Sequence, residues 1–287
     1  MTYRTLVGST ILAEHLQAPD WRVFDCRHQL TDPAAGYQAY AAGHLPGAFF
    51  LHLDRDLSGP MNGRNGRHPL PDPRLLADTL GAAGVSATMQ VVAYDDAGGA
   101  FAARLWWLLR WLGHDRVAVL DAGITGWLAE GRPLTTVVPH AQPATLAVEL
   151  RDDQVVGTDD VLANLAQCRF RLIDARAPDR FRGENETLDP VGGHIPGAGN
   201  RFFRDNLAAD GSFRAPADLQ REFAEVLAGF HPGDVVMSCG SGVTACHNLL
   251  AMEIAGLPGA RLYAGSWSEW CSDPARPTAC RTPAFVG

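Results

Sequence analysis

Short apolar runs alternate with longer amphipathic stretches along the first half of the chain. Trp21–Asp25, Val91–Tyr94 and Val117–Leu120 have the length and the largely apolar character of buried strands. Between the strands, Leu75–Ala83 and Ala100–Leu112 carry apolar residues at helical spacing. Because these strands lie too far apart in sequence for hairpins, the pattern predicts an α/β fold with a parallel sheet flanked by helices on both faces.

The second half of the chain repeats the first. Four blocks recur in the same order, which predicts two tandem copies of one domain. The matched pairs are Val23–Arg27 with Leu172–Arg176, Gly43–Ala48 with Gly193–Ala198, Val91–Asp95 with Val235–Cys239, and Leu120–Trp127 with Tyr263–Trp270. We place one domain at residues 1–135 and the second at residues 158–287. Prolines and a polar run interrupt the periodicity of the linker, residues 136–157.

Composition and charge narrow the class of protein. The 287 residues are 46% hydrophobic and 20% charged, as expected of a soluble globular chain. A formal net charge of −8 argues against nucleic acid or an acidic membrane as a main partner. No apolar run approaches the length of a membrane span, and the N-terminus lacks a secretory apolar core, so we expect a cytoplasmic protein. The spacing of the six cysteines fits neither a disulfide framework nor a zinc site.

The strongest chemical signal is a cysteine at the end of a predicted strand. Cys239 follows the apolar run Val235–Met237, Gly240 and Gly242 come next, and apolar residues then recur at helical spacing. The glycines allow a tight loop whose N–H groups point inward, and the helix N-terminus adds partial positive charge. This setting stabilises a thiolate, the reactive form of cysteine. A buried structural cysteine, the alternative, would have little use for the two glycines.

The loop Cys239–Thr244, with the sequence Cys-Gly-Ser-Gly-Val-Thr, resembles the active-site loop of the mercaptopyruvate sulfurtransferases of the rhodanese superfamily. With the repeat, the resemblance covers nearly all of the chain and implies two tandem rhodanese-like domains. It also implies that Cys239 accepts a sulfur atom as a persulfide. The first copy has Asp95 at the matched position. Since a carboxylate cannot accept sulfane sulfur, we expect the first domain to be catalytically silent.

The resemblance also implies the residues that bind the anionic sulfur donor. Arg180 stands where the family has a substrate-binding arginine, and Arg182 lies two residues further on. Some members have another arginine nine residues after the first, but here that position is Asp189, within an acidic run that argues against a second clamp on this loop. The loop residues expected to contact the donor are Gly240, Ser241, Gly242, Val243 and Thr244.

An auxiliary Ser-His-Asp arrangement is implied in the same way. Ser241 would be joined by His68 and Asp54 from the first half of the chain, although the intervening segment Gly59–Arg67 is long and glycine-rich. By contrast, His44 and His194 occur in both copies within Gly-His-x-Pro-Gly. Their presence in the copy without a cysteine favours a role in a turn and in packing.

The resulting hypothesis is a sulfurtransferase that moves sulfur from 3-mercaptopyruvate to cyanide, a thiol or thioredoxin, with no metal or organic cofactor. The neutral Gly240-Ser241 pair favours this donor, because thiosulfate, a dianion, would be better served by basic loop residues. A thiosulfate sulfurtransferase and a non-catalytic rhodanese-like binding module remain as alternatives. A cysteine phosphatase is disfavoured, because its loop ends in arginine where this chain has Ala245.

Overall fold

The computed structural model describes residues 2–280; residues 281–287 of the second predicted domain lie outside the described residues. Contacts between Cα atoms divide the chain into two units. The first consists of Met1–Gly59, Leu70–Asp152 and Leu207–Arg214, and the second of Pro60–Pro69, Asp153–Asn206 and Ala215–Gly287. A ten-residue loop from the first half of the sequence, Pro60–Pro69, therefore belongs to the unit that carries Cys239.

The first unit contains a five-stranded parallel sheet in the order β1-β5-β4-β2-β3. Its strands are β1 (Leu6–Val7), β2 (Trp21–Asp25), β3 (Ala48–Phe50), β4 (Gln90–Tyr94) and β5 (Val117–Leu120). Its helices are α1 (Ser9–His15), α2 (Ala35–Ala42), α3 (Leu53–Asp56), α4 (Pro73–Ala82), α5 (Ala102–Trp111) and α6 (Gly123–Ala129). The three predicted strands and both predicted helices are confirmed, with shifts of one or two residues at the ends.

Local chemistry explains where α4 begins. Asp72 caps the helix, because its carboxylate accepts the N–H groups of Arg74 and Leu75. Pro73 then occupies the first turn, where a missing N–H costs nothing. The fully buried Trp127 belongs to the hydrophobic core of the unit.

The second unit contains a four-stranded parallel sheet in the order β7-β6-β8-β9. Its strands are β6 (Arg171–Asp174), β7 (Gly199–Asn200), β8 (Val235–Ser238) and β9 (Arg261–Leu262). Its helices are α7 (Thr158–Gln167), α8 (Pro178–Arg182), α9 (Pro216–Leu227), α10 (Thr244–Ile254) and α11 (Ser266–Trp270). Short 3-10 helices cover Asp152–Gln154, Phe203–Asn206 and Pro232–Asp234. The fold-class prediction of two parallel sheets flanked by helices is confirmed.

An arginine–aspartate ion pair recurs in both units at the end of a central strand. Nη2 of Arg27 lies 2.6 Å from Asp25 and 2.7 Å from the carbonyl oxygen of Gly43. In the second unit, Nη2 of Arg176 lies 2.7 Å from Asp174 and 2.7 Å from the carbonyl oxygen of Gly193. Each pair ties a strand end to the glycine of the Gly-His motif, so the repeat extends to buried side chains.

The two motif histidines pack in matched ways. His44 stacks on the Tyr40 ring at 3.9 Å, and its Nδ1–H donates to the carbonyl oxygen of Tyr40. His194 stacks on Phe181 at 3.7 Å and makes the corresponding bond to the carbonyl oxygen of Phe181. Both rings are fully buried, and these contacts agree with the predicted packing role.

Among residues 2–280, no helix has both the length and the apolar character that crossing a membrane requires.

Candidate active site

Cys239 lies directly beyond β8, at the carboxyl edge of the second sheet. Its backbone N–H donates to Oγ of Ser266 at 3.0 Å, and its carbonyl oxygen accepts the N–H of Trp267 at 3.0 Å. The carbonyl oxygen of Gly240 accepts the N–H of Ser268. These bonds anchor the base of the loop to the start of α11, and the Cys239 side chain is buried.

The loop turns back on the cysteine sulfur. The N–H of Gly242 donates to Sγ of Cys239 at 3.1 Å. Gly242 has a φ of +79°, and an added Cβ would overlap the carbonyl oxygen of Ala264, so only glycine fits. The helix α10 begins two residues later at Thr244, with the buried Val243 between them. An N–H donor therefore contacts the sulfur, and a helix N-terminus follows directly after the loop.

Ser241 and His68, two members of the predicted arrangement, lie in direct contact. Oγ of Ser241 lies 2.7 Å from Nδ1 of His68, and both side chains are buried. The pairing joins residues 173 positions apart in sequence, because the loop Pro60–Pro69 belongs to the second unit. A hydroxyl held by an imidazole can relay a proton to or from a reacting group.

Asp54, the third member of the predicted arrangement, belongs to the first unit, in the short helix α3. Its backbone N–H donates to Nδ1 of His52, and its carboxylate lies 4.0 Å from the same nitrogen. Ligand atoms of Asp54, His52 and His28 lie within 4.8 Å of one another, a grouping that could hold a metal ion. The part of Asp54 in the catalytic arrangement stays a prediction.

Two of the arginines near the loop are held by buried acids. Nη2 of Arg180 bonds to Glu186 at 2.7 Å and lies 3.5 Å from Asp189, while Nη1 of Arg176 lies 3.2 Å from Glu186. Burial alone would raise the pKa of Glu186, but the hydrogen bond from Arg180 and other favourable contacts hold it below its usual value. Arg182 instead pairs with Glu184 at the surface, where its side chain is 44% exposed. Its role in donor binding stays a prediction.

The residue that sequence reasoning missed is Arg67. Its guanidinium forms an ion pair with Asp189, and its backbone N–H donates to Oγ of Ser268 at 3.1 Å. An added Cβ at Gly240 would lie 3.0 Å from Nη2 of Arg67 and 3.7 Å from Nη2 of Arg180. Arg67 thus lies beside the residue that follows the candidate nucleophile. Its position immediately before His68 was the available signal.

In the first unit, the Asp95 side chain occupies the loop that matches the Cys239 loop. Asp95 follows β4 as Cys239 follows β8, and the N–H of Ile124 bonds to its carbonyl oxygen as that of Trp267 bonds to Cys239. One carboxylate oxygen of Asp95 accepts two backbone N–H groups and the other oxygen accepts two more, all at 2.8 Å. Burial raises the pKa of Asp95, and these N–H donors oppose the rise.

Comparison with known proteins agrees with this arrangement. The rhodanese-like domain model matches residues 9–130 and 157–273. A probable 3-mercaptopyruvate sulfurtransferase of Pseudomonas aeruginosa is 49% identical over 97% of this chain and 99% of its own length. A thiosulfate sulfurtransferase of Mus musculus is 35% identical over 93% of this chain and 92% of its own.

A solved structure extends the likeness to three dimensions. The crystal structure of SseA from Escherichia coli, described as a 3-mercaptopyruvate sulfotransferase, superposes with a TM-score of 0.79 at 31% identity and covers 92% of this chain and 99% of its own. The two parallel sheets, the two matched loops and these sequence similarities all indicate the same family. The chain therefore belongs to the rhodanese family, as one of its two-domain sulfurtransferases.

Proposed function

We propose that this protein transfers sulfur from 3-mercaptopyruvate to a thiophilic acceptor through a persulfide on Cys239. The observation that carries the proposal is the setting of the Cys239 sulfur. It accepts the Gly242 N–H at 3.1 Å, and guanidinium groups lie beside Gly240. N–H donors and cations stabilise the thiolate before transfer and the persulfide anion after it.

The chemistry proceeds by double displacement. The Cys239 thiolate attacks the donor sulfur and forms an S–S bond, while the C–S bond of the donor breaks and its electron pair remains on the enolate of pyruvate. The proton of the donor thiol balances the step, because the enolate takes up one proton to become pyruvate and leaves a deprotonated persulfide. An acceptor nucleophile then removes the outer sulfur and regenerates the thiolate.

Ser241 and His68 are the candidates for moving that proton. Their hydrogen bond of 2.7 Å joins a hydroxyl within the loop to an imidazole. The hydroxyl can pass the proton from the donor thiol to the enolate carbon, with the imidazole as the reservoir. The proposal keeps Asp54 as the third member of this arrangement.

Thiosulfate is the second candidate donor. Attack of the thiolate on its outer sulfur releases sulfite and leaves the same persulfide, so the cysteine chemistry does not separate the two donors. The mouse relative is named for thiosulfate. The loop itself favours 3-mercaptopyruvate, because Gly240 and Ser241 are neutral and the nearby guanidiniums are already partnered by Glu186 and Asp189.

The acceptor we propose is cyanide, a small thiol or reduced thioredoxin, and the compartment is the cytoplasm. All six cysteines are free thiols, which suits a reducing compartment. In this proposal the loop of the first unit that matches the Cys239 loop accepts no sulfur, since Asp95 replaces the cysteine. The competing hypothesis, a non-catalytic binding module, predicts that Cys239 never carries a donor's sulfur.

The test is mass spectrometry of the intact protein after incubation with 3-mercaptopyruvate or, separately, with thiosulfate. We expect a gain of one sulfur atom that disappears on cyanide treatment and is absent from Cys239→Ser. The donor that loads the protein faster identifies the subfamily. Cys168→Ser, which removes an exposed cysteine, is the matched control and should load normally. No adduct from either donor would exclude the mechanism.

A further inference from the structure

The loop Pro60–Pro69 brings two adjacent side chains to the Cys239 loop, and the proposed mechanism uses only one of them. His68 bonds to Ser241. Nη2 of Arg67 faces Gly240, and Nη1 of the same guanidinium forms an ion pair with Asp189. The Arg67 side chain is 26% exposed, so it is neither a core residue nor a fully solvated one.

We propose that Arg67 is a donor-binding residue that, together with Arg180, holds the carboxylate of the sulfur donor beside Cys239. The inference rests on the proposed function, because it names the group that recognises the donor at the same site. It adds a second side chain of the loop Pro60–Pro69, next to His68, to a site otherwise built from the second half of the sequence.

Geometry supports a shared role for the two arginines. Nη2 of Arg67 and Nη2 of Arg180 approach one point, the Cβ position of Gly240, at 3.0 and 3.7 Å. Because residue 240 is a glycine, no side chain occupies that point. A carboxylate packed against this side of Gly240, at van der Waals distance from its Cα, would lie within reach of both guanidiniums, which are the donors that best match its planar geometry.

Each guanidinium is held by a buried acid, Arg67 through Nη1 and Arg180 through Nε and Nη2. Asp189 contacts both Arg67 and Arg180, and Glu186 bonds to Arg180; the side chains of Asp189 and Glu186 are 3% and 4% exposed. A second bond fixes the backbone at Arg67, whose N–H donates to Ser268. These partners immobilise two long side chains before a ligand arrives, which lowers the entropic cost of binding.

The acids also set the charge that the site accepts. Asp189 and Glu186 together offset the charges of Arg67 and Arg180. A ligand with a single carboxylate therefore gains two oriented, charge-assisted hydrogen bonds without needing a large excess of positive charge. The two arginines would offset the charge of a dianion less well than that of a monoanion. The donor class that this pair of arginines fits is a thiol-bearing monocarboxylate.

Alkylation of Cys239 tests the role of Arg67 independently of sulfur transfer. Iodoacetate carries a carboxylate and iodoacetamide does not, and both alkylate a thiolate in the same way. The two rates at Cys239 are followed by peptide mass spectrometry, with fragmentation to separate Cys239 from Cys246, and each is divided by the rate of a small-molecule thiol. The ratio of the two normalised rates reports the attraction of a carboxylate to the site.

We expect Arg67→Gln to lower the iodoacetate-to-iodoacetamide ratio by about 10-fold or more, as loss of a charge-assisted hydrogen bond implies. Arg67→Lys, which keeps the charge but loses the planar fork, should fall between Arg67→Gln and the unsubstituted protein. Arg221→Gln removes the same charge from an exposed position on α9 and should leave the ratio unchanged. In steady-state assays, Arg67→Gln should raise the KM for 3-mercaptopyruvate about 10- to 100-fold and change kcat much less.

An unchanged ratio in Arg67→Gln, with folding confirmed by circular dichroism, would overturn the proposal. An equal loss of rate with both reagents would also overturn it, because Arg67 would then act on the sulfur and not on the carboxylate. If the proposed sulfur transfer itself is wrong, the unsubstituted protein forms no persulfide with either donor. The alkylation ratio still decides the role of Arg67 in that case.

Discussion

Ser266 accepts the backbone N–H of Cys239 from a left-handed backbone conformation. Its φ is +53°, its hydroxyl lies 3.0 Å from the Cys239 nitrogen, and it donates to the carbonyl oxygen of Tyr263 at 2.8 Å. The first unit has Gly123 at the matched position, with a φ of +55°. This position therefore has the same conformation in both copies, and in the copy with the cysteine it is held by a serine, for which the conformation is strained.

Substitutions at Ser266 separate the hydrogen bond from the strain. Ser266→Ala removes the acceptor and keeps the strain, so we expect the free energy of unfolding to fall by about 1–3 kcal/mol, the cost of an unsatisfied buried N–H. Ser266→Gly also removes the acceptor but relieves a strain of about 1–2 kcal/mol, so its loss should be smaller. Urea unfolding measures both. Equal stability of Ser266→Ala and the unsubstituted protein would mean that the bond contributes nothing.

Gly242 should tolerate no side chain. Gly242→Ala places a Cβ against the Ala264 carbonyl oxygen at a φ of +79°, and we expect lost persulfide loading together with a loss of stability above about 2 kcal/mol. Gly256→Ala is the matched control, since its φ is +71° but an added Cβ meets nothing within 4 Å. It should cost only the conformational strain, about 1–2 kcal/mol, and load normally. Similar behaviour of the two variants would show that the contact with Ala264 is unimportant.

Loss of the His68 imidazole should lower the turnover rate more than the nucleophilicity of Cys239. If it serves the proton relay through Ser241, His68→Gln should lower kcat with 3-mercaptopyruvate by about 100-fold, the usual size of a general acid–base contribution. Alkylation of Cys239 by iodoacetamide needs no proton transfer to a leaving enolate, so its rate should change little. His140→Gln, at an exposed position, is the control. A parallel loss of kcat and alkylation rate would assign His68 to holding the thiolate instead.

Mild acidification should destabilise the protein through two buried histidines. Burial lowers the pKa of His114, and that of His194 is lowered for the same main reason. The unfolded chain therefore binds these protons at higher pH than the folded one, so the free energy of unfolding falls as pH drops through about 6.5. Urea unfolding between about pH 7.5 and 5.5 measures the slope, and His114→Gln should flatten it. An unchanged slope would exclude His114 as a source.

Parts of the site that depend on local pattern could be predicted from the sequence. Cys239 at a strand end follows from a short apolar run and two glycines, and Trp21–Asp25 has the predicted bounds. For Arg67 the sequence offers only its position next to His68, because Pro60–Pro69 has no periodicity and its place depends on contacts with residues more than a hundred positions away. In the sequence, Asp189 indicates a loop that repels an anionic donor. In the fold, its carboxylate forms an ion pair with Arg67.

Because the Asp95 carboxylate accepts four backbone N–H groups of its own loop, we expect Asp95 to have a structural role. Asp95→Asn keeps the shape but turns one oxygen into an N–H₂ group facing two backbone N–H donors, so two buried donors lose their acceptor. We expect the free energy of unfolding to fall by more than about 2 kcal/mol. Asp96→Asn, at an exposed neighbour, should have little effect. At a temperature where Asp95→Asn remains folded, Cys239 should still gain its sulfur at the unsubstituted rate, because Asp95 takes no part in transfer. A stable Asp95→Asn with impaired loading would instead place the Asp95 loop in the chemistry.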